Sequence, residues 1–401
     1  MHIKNCRVCN SLDIECVVDL GNHPLADTFL SKEMLNLSEV YYPLKLGLCN
    51  SCGHVFTLFT ISPVERYQKN DYSYDSSNSI VSIEHFKEFA STVVDAMNLN
   101  IDSLIVDIGS NVGTLLGQFK ALGYQNVLGV EPSKNISLIA ESLGIRTICD
   151  FFSEEVVKKL QDFGKVKLLL SSNVVNHADD LNGLLDVVKK VLDKDGLFIF
   201  EVPYLMDLIK NTAFDTIYHE HVHYYGMKSL NTAFLKAGLY IYKVEKIDYM
   251  CGSLRVYARV GGQTNHTILA IIDEEIRFGL YKQDTYKKFM ERVKQVKISV
   301  NNYIYNVQSS GGRVIGIGAA TKGNTFINYC GLDSDSILYV TESSNLKIGK
   351  YTPGSRILIK SDKDISKDIT HAIILPWNIA DYLIDKLSHL NLEFFAPQIN
   401  K

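Results

Sequence analysis

The nine residues IVDIGSNVG, from Ile105 to Gly113, decide the fold of the central part of this 401-residue chain. They continue an apolar run that starts at Ser103, as in a buried strand, and a helical pattern begins at Gly113. A glycine between a buried strand and a helix allows a sharp turn close to a ligand. The stretch therefore predicts the first strand, turn and helix of an α/β domain.

The same alternation continues outward along the chain. Apolar runs cover Val127–Glu131, Val166–Ser172 and Leu197–Val202, and helical patterns cover Asn135–Leu143 and Leu181–Leu192. Strands and helices that alternate at this length predict a parallel, doubly wound sheet. The predicted fold class is therefore α/β, with a Rossmann-like central domain.

The turn after the first strand also predicts a ligand site. The helix start after Gly109 offers free backbone N–H groups, and Glu131 ends the second strand, where an acidic residue binds a ribose diol. Asp150 and Phe151 follow the third strand and would hold an adenine between an acceptor and an aromatic face. The second glycine of Gly-X-Gly-X-X-Gly is missing, so the pattern leaves open a nicotinamide dinucleotide, S-adenosylmethionine, or glycines (Gly109, Gly113) that only turn and pack.

Four of the eight cysteines form two Cys-X-X-Cys pairs, Cys6 with Cys9 and Cys49 with Cys52. The two-residue spacer lets both sulfurs of a pair reach one metal, so the pairs predict a tetrahedral Zn²⁺ site. Four protein ligands leave no open coordination position, and such a zinc stabilises a module too small for an adequate core.

Other ligands and other roles compete with this zinc site. The pairs are 39 residues apart, about double the common ribbon spacing, so Cys16, His23 and His54 are competing ligands. The alternative interpretation is a set of buried free cysteines or a redox pair.

The patterns divide the chain into three predicted domains. Residues 1–65 predict a small β-rich zinc-binding module. Residues 66–265 predict the α/β domain with the adenosine-type site. Residues 266–401 predict a smaller α/β domain, whose first part, over 273–309, is one long charged helix or a helix pair that connects it to the central domain.

A second glycine-rich turn, over 314–323, lies in the last domain. Its backbone amides and Lys322 would meet a pyrophosphate, with Arg255 of a late strand as a second candidate. A purely structural turn is the alternative. Trp377, the only tryptophan, is predicted to lie in the core.

Composition excludes several classes of protein. The net charge is −4, from 41 basic and 45 acidic residues, and no long basic run occurs. The charge pattern therefore does not indicate electrostatic binding to DNA, RNA or an anionic membrane. The first residues lack the apolar core of a signal peptide, and no stretch of 18 apolar residues occurs. We expect a cytoplasmic protein with reduced cysteines.

Four titratable side chains follow one another in the segment Asp215 to His221. Two imidazoles beside a carboxylate suit general-base chemistry near neutral pH, because an unperturbed histidine titrates at about 6.5. A solvated polar loop and a second metal site are the alternatives.

With these motifs together, nearly the whole chain resembles the sugar C-methyltransferases that act on dTDP-linked 4-keto-deoxysugars. The motifs that carry the resemblance are the four paired cysteines, Tyr72 to Ser77, Asp107 to Gly113, Asn173 to His177, Glu201 to Tyr204, Phe214 to His221, Gly252 to Tyr257, Gly318 to Asn324, and Pro376 to Asn378.

The resemblance implies an N-terminal zinc domain, a central S-adenosylmethionine domain and a C-terminal domain that helps to hold the nucleotide sugar. It implies that a histidine removes the proton beside the sugar ketone and that the enolate carbon then takes the methyl group. At the matching positions, His221 is the base, and Tyr218 and Glu220 position it or bind the enolate oxygen. His177 and Tyr74 belong to the sugar pocket.

The remaining site residues follow from the same resemblance. It implies cofactor contacts and substrate contacts beyond those named above. The implied cofactor residues are Asp107, Asn111 and Asn173, and the implied substrate residues are Tyr72, Tyr204 and His219.

Three departures from the family pattern predict a different substrate within it. Val112 stands where an acidic residue is expected, and Met250 and Cys251 precede Gly252 where a histidine is expected. Residues 341–344 replace an Asp-containing turn.

Two other functions stay open at this point. The same scaffold would serve a sugar O-methyltransferase or an epimerase. A zinc-containing nucleic-acid-modifying protein is the alternative from another class, and the net charge argues against it.

Overall fold

The computed structural model describes residues 1–69, 71–263 and 265–397. Twelve α-helices occur within these residues. They are α1 (Pro63–Tyr67), α2 (Ile80–Met97), α3 (Thr114–Ala121), α4 (Lys134–Ser142), α5 (Glu154–Leu160), α6 (Leu181–Val191), α7 (Leu205–Lys210), α8 (Met227–Ala237), α9 (His266–Phe278), α10 (Gln283–Ser309), α11 (Thr321–Cys330) and α12 (Ala380–Lys386).

Sixteen strands occur in the same part of the chain, and they form three sheets. The strands are β1 (Ile14–His23), β2 (Tyr42–Cys49), β3 (Val55–Thr57), β4 (Ile105–Ile108), β5 (Val127–Val130), β6 (Thr147–Ile148), β7 (Val166–Ser172), β8 (Leu192–Pro203), β9 (His223–Tyr224), β10 (Leu239–Ile247), β11 (Ser253–Val260), β12 (Val314–Ile317), β13 (Val340–Glu342), β14 (Ile359–Ser361), β15 (His371–Ile374) and β16 (Glu393–Phe395).

The central sheet has the strand order β6-β5-β4-β7-β8-β11-β10. Strands β4 to β8 are mutually parallel, as predicted, and β11 pairs antiparallel with both β8 and β10. The chain leaves β4 for β5 on one side and later places β7 on the other. Such a switch point opens a crevice at the carboxyl ends of the strands, where α/β proteins bind ligands. The α/β fold class is confirmed.

The C-terminal sheet repeats this parallel pattern. Its order is β14-β13-β12-β15-β16, and every neighbouring pair is parallel. The switch point lies at β12, between β13 and β15. The helix pair α9 and α10 precedes this sheet. The pair is separated at Gly279, whose φ of 81° ends α9 in the left-handed conformation.

The N-terminal sheet borrows a strand from the central part of the chain. Its order is β1-β2-β3-β9, and Val55 and Phe56 of β3 face Tyr224 and His223 of β9. The predicted boundary at residue 65 describes the chain order, whereas this sheet also contains a strand from the segment that follows His221.

In the sequence, apolar residues recur every three or four positions from Ile80 to Met97, which predicts an amphipathic helix. Helix α2 has the bounds that its apolar stripe indicates, with the Ser79 side chain capping its start and Asn98 left-handed at its end. None of the described helices is long and apolar enough to cross a bilayer.

Candidate active site

A cavity of about 1340 Å³ is lined by all three parts of the chain. The carboxyl ends of β4, β5 and β7 open into it from one side, and those of β12 and β13 open into it from the other. Pockets that bind one drug-sized molecule measure about 300–1,000 Å³. The cavity is therefore large enough for two ligands that meet.

The turn after β4 forms one wall of this cavity. Gly109 has a φ of 63°, and its N–H donates to Val130 O at 2.8 Å. A Cβ at Gly109 would lie 2.4 Å from Val174 Cγ2, so only glycine fits. A ligand can therefore approach the backbone closely here.

Three polar groups around this turn fit an adenosine-type ligand. Glu131 Oε2 accepts a hydrogen bond from Asn111 N at 3.1 Å, and Glu131 Oε1 accepts from Ser133 N at 2.8 Å. Asp107 Oδ1 and Asn173 Oδ1 are buried and lack a hydrogen-bond partner within the described residues. Buried polar atoms are normally paired, so these acceptors are available to a bound ligand.

Burial also changes the protonation of these carboxyl groups. It is the main cause that raises the pKa of Asp107 to about 8, and the charge of Glu131 adds to the effect. The pKa of Glu131 is raised as well, again mainly by burial, while the Ser133 N–H opposes the shift. A ligand hydroxyl or amino group would satisfy Glu131, and Asp107, which is largely protonated at neutral pH, can donate as well as accept a hydrogen bond.

Some predicted cofactor residues lie elsewhere. Phe151 and Asn111 line the cavity, but Gly113 and Asp150 do not. Gly113 packs against Ile145 and starts α3 with a φ of 80°, so its role is in the turn. Asp150 instead pairs with Lys159 at 2.8 Å. We therefore correct the prediction that Gly113 and Asp150 contact the ligand.

His221 is buried at the wall of the cavity. Its Nδ1 lies 2.9 Å from Thr216 O, and its Nε2 lies 2.6 Å from Tyr218 Oη. A carbonyl oxygen only accepts, so Nδ1 carries the proton and Nε2 is the acceptor nitrogen. Burial lowers the pKa of His221 to about 3. The imidazole is therefore neutral at physiological pH, with its lone pair at Nε2.

A second neutral histidine faces the first. The rings of His177 and His221 are 4.7 Å apart and pack edge to face. His177 Nδ1 lies 2.6 Å from Tyr67 Oη, and burial lowers the pKa of His177 well below its usual value. Each histidine is thus paired with a tyrosine hydroxyl at the cavity wall.

Glu220 is buried beside these histidines and keeps one oxygen without a partner in the described part of the chain. Its Oε1 accepts from Asp27 N at 3.3 Å, while Oε2 has no hydrogen bond there. Burial, followed by the charge of Asp27, raises the pKa of Glu220 to about 7. A sizeable protonated fraction therefore exists at neutral pH, and that form can donate a hydrogen bond into the cavity.

Asp27 joins the three parts of the chain at this place. Its Oδ1 accepts from Ser73 Oγ at 2.8 Å and from Thr321 Oγ1 at 2.7 Å. Ser73 belongs to the loop of Tyr72 to Ser77, the tyrosine loop, and Thr321 begins α11. The carboxylate therefore fixes both segments relative to Glu220.

Arg66 supports the same segments from behind. Its side chain is fully buried, and Nη1 lies 3.3 Å from both His177 O and Glu220 O. Nη2 pairs with Asp179. One guanidinium at the end of α1 thereby connects the two chain segments that carry the histidines.

The tyrosine loop is tied to the glycine turn. Asn111 Nδ2 donates to Tyr74 O at 2.9 Å, and Asn111 Oδ1 accepts from Ser76 N at 2.9 Å. The Asn111 side chain therefore holds the loop, whereas only its backbone N–H serves Glu131. Tyr72 and Tyr74 both line the cavity, as the resemblance implies.

The C-terminal domain supplies the opposite wall. Lys322 Nζ hydrogen-bonds to Asn378 Oδ1, lies 3.8 Å from Asp215 Oδ2 and stands over the Trp377 ring. Trp377 Nε1 donates to the same Asp215 oxygen at 2.7 Å. The sequence predicts Trp377 in the core, but the side chain is half-buried on the cavity wall.

Three predicted substrate residues do not line the cavity, and these predictions are corrected. Arg255 is buried and forms ion pairs with Glu201 and Glu88, both at 2.8 Å. Tyr204 is completely buried beside β9. His219 packs edge-on against Tyr42 of the zinc module. Arg255 is thus engaged by carboxylates of the protein, and Tyr204 and His219 are buried outside the cavity.

The departures from the family pattern fall in different places. Val112 is buried and does not line the cavity, so this departure does not change the cavity wall beside the glycine turn after β4. Met250 and Cys251 do line the cavity, with φ values of 53° and 73°, and Cys251 Sγ lies 4.0 Å from Lys322 Nζ.

The four paired cysteines form a separate metal site. Their sulfurs all lie within 4.8 Å of one another, and the Cys6–Cys52 and Cys9–Cys49 pairs are each 3.6 Å apart. A tetrahedron with Zn–S bonds of about 2.3 Å has edges of about 3.8 Å, so the sulfurs fit zinc. The hydrogen bond from Cys52 is the main cause that lowers the pKa of Cys6 to about 5.

The competing zinc ligands are engaged elsewhere. Cys16 is exposed. His23 Nε2 lies 2.9 Å from Leu20 O, and His54 Nε2 lies 2.8 Å from His223 Nδ1. The four-cysteine prediction is the one that the geometry supports.

Comparison with known proteins covers almost the whole chain. A family model described as a C-methyltransferase C-terminal domain matches residues 248–393, a methyltransferase domain matches 84–244, and a zinc binding domain matches 6–67. The C-methyltransferase NovU from Streptomyces niveus is 32% identical over 388 residues, which cover 96% of this chain and 92% of NovU.

Solved structures are similar at lower identity. An S-adenosylmethionine-dependent methyltransferase from Clostridium acetobutylicum is 15% identical, covers 45% of this chain and 92% of its own, and gives a TM-score of 0.36. The magnesium protoporphyrin IX methyltransferase from Synechocystis, solved with bound S-adenosylmethionine, is 12% identical, covers 45% and 81%, and gives a TM-score of 0.34.

The family models and the relative assign the two cofactors that the residues fit. S-adenosylmethionine belongs to the central domain, and a structural zinc ion belongs to the four cysteines. The chain belongs to the S-adenosylmethionine-dependent C-methyltransferases that carry an N-terminal zinc-binding domain.

Proposed function

We propose that the protein methylates the carbon next to the ketone of a nucleotide-linked keto-deoxysugar. The observation that carries this proposal is the neutral His221, whose Nδ1 is anchored at Thr216 O and whose acceptor Nε2 is held beside the cavity by Tyr218. A neutral imidazole in this tautomer can take a proton from carbon. The family resemblance implies dTDP as the carrier, and a reducing cytoplasm is the setting that four zinc thiolates require.

The first step breaks the C–H bond beside the ketone. The Tyr218 hydroxyl turns its hydrogen from His221 Nε2 to the ketone oxygen, the carbon proton goes to the freed Nε2, and the electron pair of the C–H bond forms an enolate. Such a carbon acid is weak, so the enolate oxygen needs hydrogen-bond donors in a dry site. Tyr218 Oη and protonated Glu220 are the donors that the cavity offers here. The Nδ1–H bond to Thr216 O stabilises the imidazolium that forms.

The second step joins the enolate carbon to a methyl group. S-adenosylmethionine, when bound, would supply an electrophilic methyl group, whose bond to sulfur breaks as the bond to carbon forms, with S-adenosylhomocysteine as the leaving group. The chain contributes alignment and exclusion of water, which are what methyl transfer mainly needs. The residues expected to hold the donor are Gly109, Glu131, Asp107 and Asn173. His177, Tyr67, Tyr72 and Tyr74 enclose the space between the two ligands.

The test separates proton removal from methyl transfer. The protein is incubated in D₂O with dTDP-, GDP- and CDP-linked keto-sugars, with and without S-adenosylmethionine, and mass spectrometry follows deuterium and methyl gain. We expect exchange without the donor and one methyl on carbon with it. His221→Asn should lower both rates at least about 100-fold, since general-base catalysis is worth 10²–10⁴-fold.

A matched control is His266→Asn, which changes an exposed histidine at the start of α9 and should keep both rates. Wild-type exchange by the His221 variant would contradict the base assignment. A methyl group found on oxygen would contradict the C-methylation of this substrate, as would exchange without any transfer, which is epimerase behaviour.

A further inference from the structure

The two parallel sheets carry the same local construction around the glycine turn. Gly109 follows β4 and donates its N–H to Val130 O at 2.8 Å; Gly318 follows β12 and donates to Thr341 O at 2.9 Å. Both glycines have positive φ, 63° and 83°. In each sheet the turn therefore lies level with the last residues of the neighbouring strand.

The steric reason for glycine is also the same in both places. A Cβ at Gly109 would meet Val174, which follows β7, and a Cβ at Gly318 would lie 2.7 Å from Pro376, which follows β15. Strands β7 and β15 are the equivalent neighbours of β4 and β12 in their sheets. Both turns thus lie at a switch point, with the next strand's loop packed against them.

The register places a glutamate at the same position in each sheet. Ile108 pairs with Val130, so that Glu131 lies opposite Gly109; Ile317 pairs with Thr341, so that Glu342 lies opposite Gly318. In both sheets the carboxylate accepts from the N–H of the serine two residues later. The distances are 2.8 Å from Ser133 and 3.1 Å from Ser344.

Glu342 retains an oxygen for a ligand. The three hydrogen bonds that it accepts from described residues, from Ser343 N, Ser343 Oγ and Ser344 N, all involve Oε1. Glu342 lines the cavity together with Gly318 and Trp377. An acidic residue at this position of a doubly wound sheet binds pentose hydroxyls, so the C-terminal wall has what a nucleotide needs.

We propose that Glu342 is the pentose-binding residue of the sugar nucleotide, with its Oε2 accepting a hydrogen bond from the 3′-hydroxyl of the carrier. This inference rests on the proposed function, because it assigns the carrier nucleotide to the C-terminal wall. The 3′-hydroxyl is common to ribonucleotides and deoxyribonucleotides, so Glu342 serves either carrier. Lys322 and the N–H groups at the start of α11 are then left for the diphosphate.

The test is a double-mutant cycle that removes the 3′-hydroxyl from the nucleotide and the carboxylate from residue 342, and measures the affinity of each combination. Fluorescence of Trp377, the only tryptophan of the chain, reports binding of dTDP, UDP, CDP and GDP to the zinc-containing protein. The tightest of the four is compared with its 3′-deoxy analogue. A hydrogen bond to a charged group is worth roughly 1.5–3 kcal/mol, so loss of the hydroxyl should weaken binding about 10-fold to 100-fold.

The Glu342→Ala substitution should weaken binding of the parent nucleotide by a similar factor. The variant should bind the 3′-deoxy analogue with the same affinity as the wild type. Glu342→Gln is a second variant that preserves the side-chain volume, and it should lose most of the hydroxyl dependence. Ser334→Ala, at an exposed serine of the same domain that does not line the cavity, is the control. Unchanged S-adenosylmethionine affinity shows that each variant is folded.

Two results would overturn the inference. The first is that removing the 3′-hydroxyl lowers the affinity equally in the wild type and in both variants. The second is that the protein binds none of the four nucleoside diphosphates. If methyl transfer to a keto-sugar still occurs in the first case, only the role of Glu342 fails. If neither binding nor transfer occurs, the proposed function fails with it.

Discussion

At the scale of single residues, the cavity keeps its acids and bases in their uncharged forms. His221 and His177 are neutral because burial disfavours the imidazolium, and Glu220 retains a proton to about pH 7 because burial and Asp27 disfavour the carboxylate. A neutral base beside a neutral acid is the combination that removes a proton from carbon and stabilises the oxygen of the product.

The first prediction concerns the pH dependence that Glu220 imposes. Its pKa is raised to about 7, so the donating acid is present below that pH and is lost as pH rises through it. kcat/KM of the wild type should therefore fall above about pH 7, approaching tenfold per pH unit. His221, with a pKa of about 3, should cause no acid limb above about pH 4.

Glu220→Gln tests this assignment, because its amide N–H₂ donates at every pH while its oxygen can still accept from Asp27 N. The variant should lose the alkaline limb and stay within about tenfold of wild-type kcat/KM at pH 6. Steady-state rates between pH 5 and 9 measure both effects. An alkaline limb that persists unchanged in the variant would assign it to another group.

The sequence could predict the site residues that lie close together in the chain. His221, Tyr218 and Glu220 are adjacent, so their chemistry is visible as a motif. The sequence does not indicate Tyr67 and Asp27, because each contacts a residue that is distant in the chain. Tyr67 hydrogen-bonds to His177, 110 residues away, and Asp27 hydrogen-bonds to Glu220, 193 residues away. A lone tyrosine or aspartate in a loop carries no local signal for such a contact.

At the scale of elements, the glycine turn after β4 sets how closely a ligand approaches. The turn requires a positive φ and has no room for a side chain, because a Cβ at Gly109 would lie only 2.4 Å from Val174. The equivalent turn after β12 has the same constraint against Pro376. We therefore expect these turns to limit how closely a ligand approaches the backbone.

The second prediction is therefore that Gly109→Ala damages donor binding and stability together. A non-glycine residue at this φ costs about 1–3 kcal/mol, and the clash with Val174 displaces the turn. We expect the free energy of unfolding to fall by at least that amount and the Kd for S-adenosylmethionine to rise at least about 10-fold. Urea denaturation and calorimetric titration measure the two quantities.

Gly117→Ala is the matched control, since Gly117 lies inside α3 with nothing within 4 Å of a Cβ. Alanine should stabilise the helix by about 0.5–1 kcal/mol and leave donor affinity unchanged. A Gly109 variant that binds the donor as the wild type does would show that the turn does not contact it.

Element prediction succeeded where the period was strong and failed where burial is nearly complete. The stripe of α2 and the apolar runs of β4 and β7 were predictable because one side of the helix is solvated and the strands are bounded by turn residues. Helix α7 and strand β9 lie in a segment that is mostly buried, so exposed and buried positions do not alternate clearly there.

At the scale of the whole molecule, the zinc module is part of the candidate active site. Strand β9 begins two residues after His221 and is the edge strand of the zinc module's sheet, paired with β3. Arg66 and Asp27, which contact the backbone or side chain of Glu220, come from the same N-terminal region. The sequence shows three successive modules, whereas the structure shows that a strand of the middle one completes the sheet of the first.

The last prediction follows from this connection. Removing zinc leaves four thiolates without their counter-ion beside β2 and β3, so the sheet that holds β9 loses its support. The loop of Tyr218 to His221 should then lose its position, while Gly109 and Glu131 stay on the central sheet. We therefore expect chelation to abolish methyl transfer and proton exchange, with the Kd for S-adenosylmethionine changed less than about threefold.

Cys49→Ala should reproduce the effect of chelation, and Cys149→Ala, at an exposed cysteine outside the cluster, is the matched control. Metal content, calorimetric donor binding and deuterium exchange are measured on each protein. Zinc-free protein that exchanges the proton at the wild-type rate would contradict the structural link between β3, β9 and His221. Loss of donor binding together with transfer would instead mean that zinc supports the whole chain rather than this loop.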